Sequence, residues 1–464
     1  MNRLLLLLFP AIIFIFSCKK DSFITSSNAQ VGFSSDSLFF DTVFTSTGSV
    51  TQAIKIFNLN DQKIVLSAVK LAGGTNSPFK INIDGATGPE AGNIELAAND
   101  SIYVFISVKI DPTNGNLPFL LYDSIQVSFN GNSRYIQLQA WGQNAHFLKN
   151  QTIKGNVVWT NDLPYVIAGS LLIDTNAVLT INKGCKIYFH ANAPFDIEGT
   201  LKVQGEKDDS SKVFFLSDRL DNPYNGYPGS WPGLYFGIQS VNNVLEYAVI
   251  KNAYQGVVAE GPSLNINPKL ILNECVIDNI YDAGILGAQT NIQASNCLIT
   301  NCGKNIILGY GGNYDFDYCT VAGYSNAYVQ HKLPVLVLSN YIEQGNTVLT
   351  SSMHANFTNC IFWGDDGVVD NEVVTYQQGD STFNVNFFNC LWKLKDAPAG
   401  VNTSAVIQNE DPQFTEINNQ KRSYDFHLKT GSPAIDKGKD TGVNVDLDGN
   451  SRPAGQTDMG CYEK

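Results

Sequence analysis

Between Val244 and Trp392 short apolar strands keep returning to one residue type. LEYAVIKNA at 245–253, LNECVIDNI at 272–280, QASNCLITN at 293–301, FDYCTVAGY at 316–324, HANFTNCIFWG at 354–364 and NVNFFNCLWK at 384–393 superpose Ala248, Cys275, Cys297, Cys319, Cys360 and Cys390. The successive spacings are 27, 22, 22, 41 and 30 residues. Within each unit two alternate residues face inward, and Asn252, Asn279, Asn301, Gly323 or Gly364 then turns the chain. No helix-sized period appears. A unit of this size cannot bury its own apolar side, but stacking on its neighbours at ~4.8 Å does so. The pattern predicts a parallel β-solenoid.

Upstream the apolar runs are longer. SLFFDTVFTS, TQAIKIFNL, KIVLSAVKL, PFKINID, SIYVFISVKI, SIQVSFNG and RYIQLQAWG alternate between Phe33 and about Phe147, separated by Asn, Asp and Gly turns. They predict a small antiparallel sandwich, with its clearest hairpin at Asn130-Gly131-Asn132. Lys149 to Asn161 reads as a seam, after which LLIDTNAVLTI, CKIYF and FDIEGTLKVQG are already solenoidal. The 41-residue gap before Cys360 fits two coils, or one coil with a long insertion, and 333–351 supplies strands for an intermediate coil.

A cysteine column suits the interior because a thiol packs as a compact hydrophobe. There is no Cys-x2-Cys pair, and Ala248 shares the column, so buried free thiols are expected rather than a metal site or disulfides. Acidic residues number 43 against 30 basic, which repels nucleic acid and anionic lipid. Candidate acids occur at Asp278, Asp282, Asp315, Asp317, Asp365 and Asp366. Bases are sparse there, with Lys251, Lys269, Lys304 and Lys332 but no arginine between Arg219 and Arg422. His331 reads as an edge or turn residue. In the loop 219–232, Tyr224, Tyr227 and Trp231 offer flat faces for a sugar or plugs for a lateral seam. No catalytic residue, cofactor-binding residue or metal ligand is assigned from the sequence.

Arg3, the apolar run Leu4 to Phe16 and Ser17-Cys18 resemble the signal of Bacteroidetes-type lipoproteins. That resemblance implies lipid attachment at Cys18 and anchorage to the outer membrane, on an unassigned leaflet. Thr42-Val43-Phe44, Ile56-x-Asn58, Leu71-x-Gly73-Gly74, Asp100-Ser101, the run Val104 to Pro112 and Leu138-x-Ala140-x-Gly142 resemble immunoglobulin-like modules of the ASH and major sperm protein group. Leu179-Thr180-Ile181-x-x-Gly184-Cys185, Gly199-x-Leu201 and Trp231-x-Gly233-Leu234-x-Phe236 resemble coils of right-handed β-helix proteins of the pectate-lyase-like superfamily. The run from Tyr424 through Ser432-Pro433-Ala434-Ile435-Asp436, then Asp446-x-Asp448-Gly449-Asn450-x-Arg452-Pro453 and Asp458-x-Gly460, resembles the terminal motif of many bacterial β-helix proteins. Its aspartates are expected to accept backbone hydrogen bonds and one of them to pair with Arg452, with calcium as the rival reading.

The expected fold is all-β: a right-handed parallel β-helix (solenoid) with an N-terminal antiparallel β-sandwich. Expected boundaries are 1–17 for the signal peptide, 18–32 for lipidated cysteine and tether, 33–148 for the sandwich, 149–420 for the β-helix and 421–464 for its cap. The expected function is noncatalytic: an envelope lipoprotein whose solenoid face binds a polysaccharide or an outer-membrane protein partner. The alternatives are a polysaccharide lyase or glycoside hydrolase, and an accessory subunit of an outer-membrane complex.

Overall fold

The computed structural model describes residues 22–44, 48–110, 119–365 and 368–464. Cys18, the segment before it and Asp366 lie outside these. The chain divides into two compact units that meet in sequence between Gln143 and Asn144. Among the described residues there is no α-helix, and no helix long and apolar enough to cross a membrane.

The first unit is a sandwich of two five-stranded sheets. Alternating residues of both sheets, such as Ile54, Val104 and Ile106 against Leu66, Val127 and Leu138, form one core. Asn130 and Gly131, with φ of 47° and 82°, make the two-residue turn that the sequence marks as a hairpin. One ladder between strands departs from the antiparallel pattern, as does the isolated bridge Phe23–Lys63. Ser37–Phe44 runs parallel to 137–143, because the chain leaves the first sheet after Val31–Phe33 and enters the second.

Among the described residues the second unit is built on a parallel solenoid sheet of 26 strands. Each complete coil lays extended chain along three faces, a single long strand covering two of them at Tyr165–Ile173, Ala283–Ser295 and Lys304–Asp317. In one coil with separate strands these are Ala248–Lys251 on face 1, Val257–Glu260 on face 2 and Leu270–Asn273 on face 3. The next coil begins at Cys275, in the corner between face 3 and face 1. The stretch from Lys149 to Asn161, read as a seam, is already coil over most of its length: His146–Ile153 pairs parallel with Tyr165–Ile173 and Asn156–Trp159 with Val178–Asn182. The 41-residue gap is one coil. Leu336–Ser339 is its face 2 strand, and Tyr341–Gln344 folds back on Thr347–Thr350 as an antiparallel hairpin. A period-two apolar run does not distinguish the two, and Gly345 at φ 60° makes the turn.

The cysteine column has a local cause. The residue before each corner position is left-handed: Tyr247, Glu274, Asn296, Tyr318, Asn359 and Asn389 have φ between 47° and 56°. Such a corner turns strand-end carbonyls inward. The single S–H of each thiol is shared by two of them, one at the end of the strand just before it and one a coil further back: Cys275 with Asn273 and Leu245, Cys297 with Ser295 and Leu272, Cys360 with Thr358 and Phe316, at 3.2–3.5 Å. A side chain as small as alanine but carrying a weak donor is what the position accepts. All eight described cysteines are buried and free.

The C-terminal segment does not extend the coil stack. Ile407–Gln408, the last face 1 strand, pairs only with the strand before it, while 414–428 forms a separate hairpin. Instead the segment covers a flank. Phe414, Phe426, Leu428, Ala434, Leu447, Met459 and Cys461 pack on Leu298, Ala322, Ile361 and Leu391, which point outward from face 1. The left-handed corner residues fasten it: Asn296 donates to the Val445 carbonyl, Tyr318 and Asn359 to that of Lys439, and Asn389 to that of Lys437, at 2.7–2.9 Å.

Within this segment the aspartates largely accept backbone bonds, as the sequence motif suggests. Asp446 receives the amides of Asp448, Asn450 and Glu463, and Asp458 those of Asp436 and Lys464. Asp448 instead accepts from His427, which Asp425 also engages. Arg452 pairs with Glu463 at 2.8 Å rather than with an aspartate carboxylate.

Candidate functional site

The acids that stand out in the sequence do not converge. Asp278 pairs with Lys251 on face 1, and Asp282 with Lys304 at the next corner, each at 3.1 Å. Asp315 is exposed on face 3, whereas the neighbouring Asp317 accepts from Asn359 beneath the C-terminal segment. Asp365 accepts the amide of Ser325. Trp231 is a core plug, 1% exposed, stacked on Phe189 at 4.4 Å and donating to the Lys251 carbonyl. Tyr224 and Tyr227 pack edge to face at 5.1 Å, with Arg219 over Tyr224 and Tyr328 against Tyr227.

Other acids do meet, on the outer surface of face 2. Asp196, Glu198, Tyr235, Gly237, Val258 and Glu260 line a cavity of ≈ 450 Å³. Period-two alternation puts Asp196 on the outside of Phe195–Ile197, Glu198 follows just past the strand end, and stacking brings Tyr235 and then Val258 into register with Asp196. Gly237 stands between Glu198 and Glu260. A Cβ there would lie 2.0 Å from Glu198 Oε1, so glycine makes room for that carboxylate. Glu198 Oε2 is fixed by the Gln239 amide at 3.0 Å. Burial, reinforced by Glu198, raises the Asp196 carboxyl above the usual range.

Lys269, a candidate base by composition, lies fully buried next to this cavity. Its Nζ donates to the carbonyls of Gly237, Ile238 and Glu260 at 2.7–3.1 Å. Burial pulls the ammonium down to about 8, against the pull of Glu198 and Glu260. Three bonds to backbone make it a structural tie between two coils.

Beside the cavity, where face 1 turns into face 2, Tyr254 and Tyr281 occupy neighbouring coils. Their rings stack at 5.4 Å with an interplanar angle of 23°, and they are 47% and 56% exposed. The backbone sets this spacing, with the Tyr281 amide on the Ala253 carbonyl and the Asp282 amide on that of Tyr254. Asp282 holds Gln255 and Lys304 alongside. Burial, then Asp196, then Tyr254 and Asp282 raise the Tyr235 hydroxyl, so the cavity and the tyrosine platform lie within one electrostatic neighbourhood.

Sequence reading does not find this arrangement. Asp196 and Glu260 are separated by two full coils, and a coil carries no periodic mark for an outward carboxylate. The usable signal was Tyr254-Gln255 followed by Tyr281-Asp282, repeated at the same offset after the column position. Among the described residues no three His, Cys, Asp or Glu side chains form a metal-sized cluster.

No family model matches the chain, and no curated protein sequence matches it. Among solved structures, the solenoid loosely resembles pectate lyase Pel9A, at 11% identity over 69% of this chain and 88% of that one, with a TM-score of 0.33. It also resembles the catalytic unit of a family 87 α-1,3-glucanase from Streptomyces thermodiastaticus, at 10% identity over 76% and 86% of the two chains, with a TM-score of 0.26. A family 123 glycoside hydrolase from Clostridium perfringens aligns at 14% identity and a TM-score of 0.20 over 29% of this chain, which spans only 31% of that enzyme.

Proposed function

We propose that the chain is an envelope lipoprotein, anchored through Cys18, that binds a neutral glycan on the side of its solenoid. The observation that carries the binding reading is the exposed Tyr254–Tyr281 stack. Two near-parallel, offset phenol rings on a rigid corner present an exposed aromatic face that suits the apolar face of a pyranose ring, and Gln255, Asp282 and Lys304 stand ready for its hydroxyls. The acids beside the stack and the net charge of −13 disfavour uronic acids and sulfated chains.

Affinity electrophoresis in gels containing neutral or acidic polysaccharides tests this. Retardation is expected in a neutral gel only, and Tyr254→Ala and Tyr281→Ala should each weaken it roughly tenfold, about 1.4 kcal/mol. Equal retardation of the double variant would remove the platform from the account.

A second reading rests on Asp196. Asp196 lines a cavity with Glu198 and Glu260, and burial raises its carboxyl, which is one of the features of a general acid in glycoside hydrolysis. On that reading the wild type releases reducing ends from a neutral oligosaccharide and Asp196→Asn releases none. Absence of release from wild type leaves binding alone.

A further inference from the structure

The first described residues are stitched to the sandwich. Gln62 Nε2 donates to Ser22 Oγ at 2.7 Å, Phe23 bridges in parallel to Lys63, and the Ile24 amide rests on the Lys63 carbonyl. Asn130 donates to the carbonyls of Ile24 and Ser26, and Asn132 to that of Ser27, at 2.7–3.0 Å. Asn60 then exchanges two bonds with the Gln30 backbone. Ile24 and Ala29 pack on the sandwich core. From Ser22 onward the chain is therefore part of the module.

This stitching gives the turn from Leu59 to Lys63, which carries the chain from the first sheet to the second, an exposed apolar side chain at each end. Leu59 is 57% exposed and lies against Gly32, where a Cβ would come 3.1 Å from it. Phe23, at Lys63, is 41% exposed. The turn between them is pinned, with Asn58 Nδ2 on the Gln62 carbonyl and Asn58 Oδ1 accepting the Asn60 amide. Asp61 and Asp100 are exposed at the same end, where the Asn99 amide rests on the Asn60 carbonyl.

Cys18 stands four residues before Ser22. Four residues reach at most about 14 Å, and the polar layer of a bilayer leaflet is about 5–7 Å deep. We propose that this end of the sandwich lies on the lipid surface, with Phe23 and Leu59 set among the head groups. The inference rests on the lipid attachment at Cys18 proposed above. Even fully extended, so short a reach leaves Ser22 within roughly 10 Å of the surface. The two side chains therefore meet the lipid at high effective concentration, and phenylalanine and leucine suit the boundary between head groups and acyl chains. Asp61 and Asp100 offer nothing to anionic head groups, so the contact is apolar and insensitive to salt.

Brominated phosphatidylcholine, which quenches tryptophan on contact, tests this in vesicles that hold the full chain by its own anchor. The mass of the N-terminal peptide reports the lipid on Cys18 separately. The added tryptophan of Phe23→Trp or Leu59→Trp is expected to lose about half its emission. Tyr122→Trp, at a position 67% exposed towards the opposite end of the second sheet, should lose none. A long Gly-Ser insertion between Asp21 and Ser22 should restore most of the lost emission, because it removes the short reach. No quenching of either probe in a lipidated chain, or equal quenching at 122, overturns the contact and leaves the anchor standing. A chain without lipid at Cys18 overturns both.

Discussion

Replacing Arg452 with alanine is expected to cost roughly 3–5 kcal/mol and to detach the C-terminal segment from the solenoid. The guanidinium is almost wholly buried. It bonds Glu463 at 2.8 Å, Asn296 Oδ1 and the Gly460 carbonyl at 2.9 Å, and lies 3.9 Å over the Tyr318 ring. Its loss strands the buried Glu463 carboxylate and cuts the tie to two successive corners. Urea unfolding should show a lower midpoint or a new early transition, and limited proteolysis should cut first between 411 and 440. Pairing Arg452→Met with Glu463→Leu should recover much of the loss, because an apolar replacement leaves no orphan charge. A double variant as unstable as the single one would show that the pair matters for its shape, not its charge.

The second large effect concerns alkali. Burial pushes the thiols of Cys275, Cys302, Cys319 and Cys360 well up, Cys185 to about 11 and Cys461 to about 12. A thiol whose folded value exceeds its unfolded one stabilises fully below the unfolded value, near 9, and loses that contribution as pH rises towards the folded value. At pH 10 each such thiol is expected to take roughly 1.4 kcal/mol from stability. Cys297 runs the other way, held down despite its burial by hydrogen bonds from the Cys275 and Cys319 thiols, and offsets part of what the raised thiols lose. Lys269 opposes them, since its depressed ammonium gains stability from pH 8 upward. Urea midpoints measured at pH 8 and 10 should therefore fall steeply for wild type, and less steeply for Cys275→Ala/Cys319→Ala. Alanine at 248 shows that the corner accepts that side chain. Parallel profiles would mean that the thiols titrate freely.

These two results bear on how much of the molecule its sequence reveals. The coil and its corner were legible because Cys275, Cys297, Cys319, Cys360 and Cys390 answer one local need, repeated once per coil. The hairpin at 341–350 was not legible, since a strand that pairs along the stack and one that folds back share a period of two. The flank-covering role of the last fifty residues was hidden because its anchor residues, Asn296, Tyr318, Asn359 and Asn389, carry no mark in the sequence beyond standing next to the cysteine column. His331 and Glu372 were invisible as a pair, because they lie on separate coils and only stacked glycines bring them together. The same holds for Asp196, Glu198 and Glu260. Function on a solenoid is written across coils, perpendicular to the direction in which the sequence is read.

The most direct test of glycan binding is a crystal structure of the chain soaked with a neutral oligosaccharide. The expected result is a sugar ring lying flat on the exposed face of the Tyr254–Tyr281 stack, with its edge hydroxyls within hydrogen-bond reach of Gln255 or Asp282 and the next ring toward Asp196. An uncovered tyrosine pair at a ligand concentration that saturates binding in solution, or a sugar ordered on another face, would contradict it.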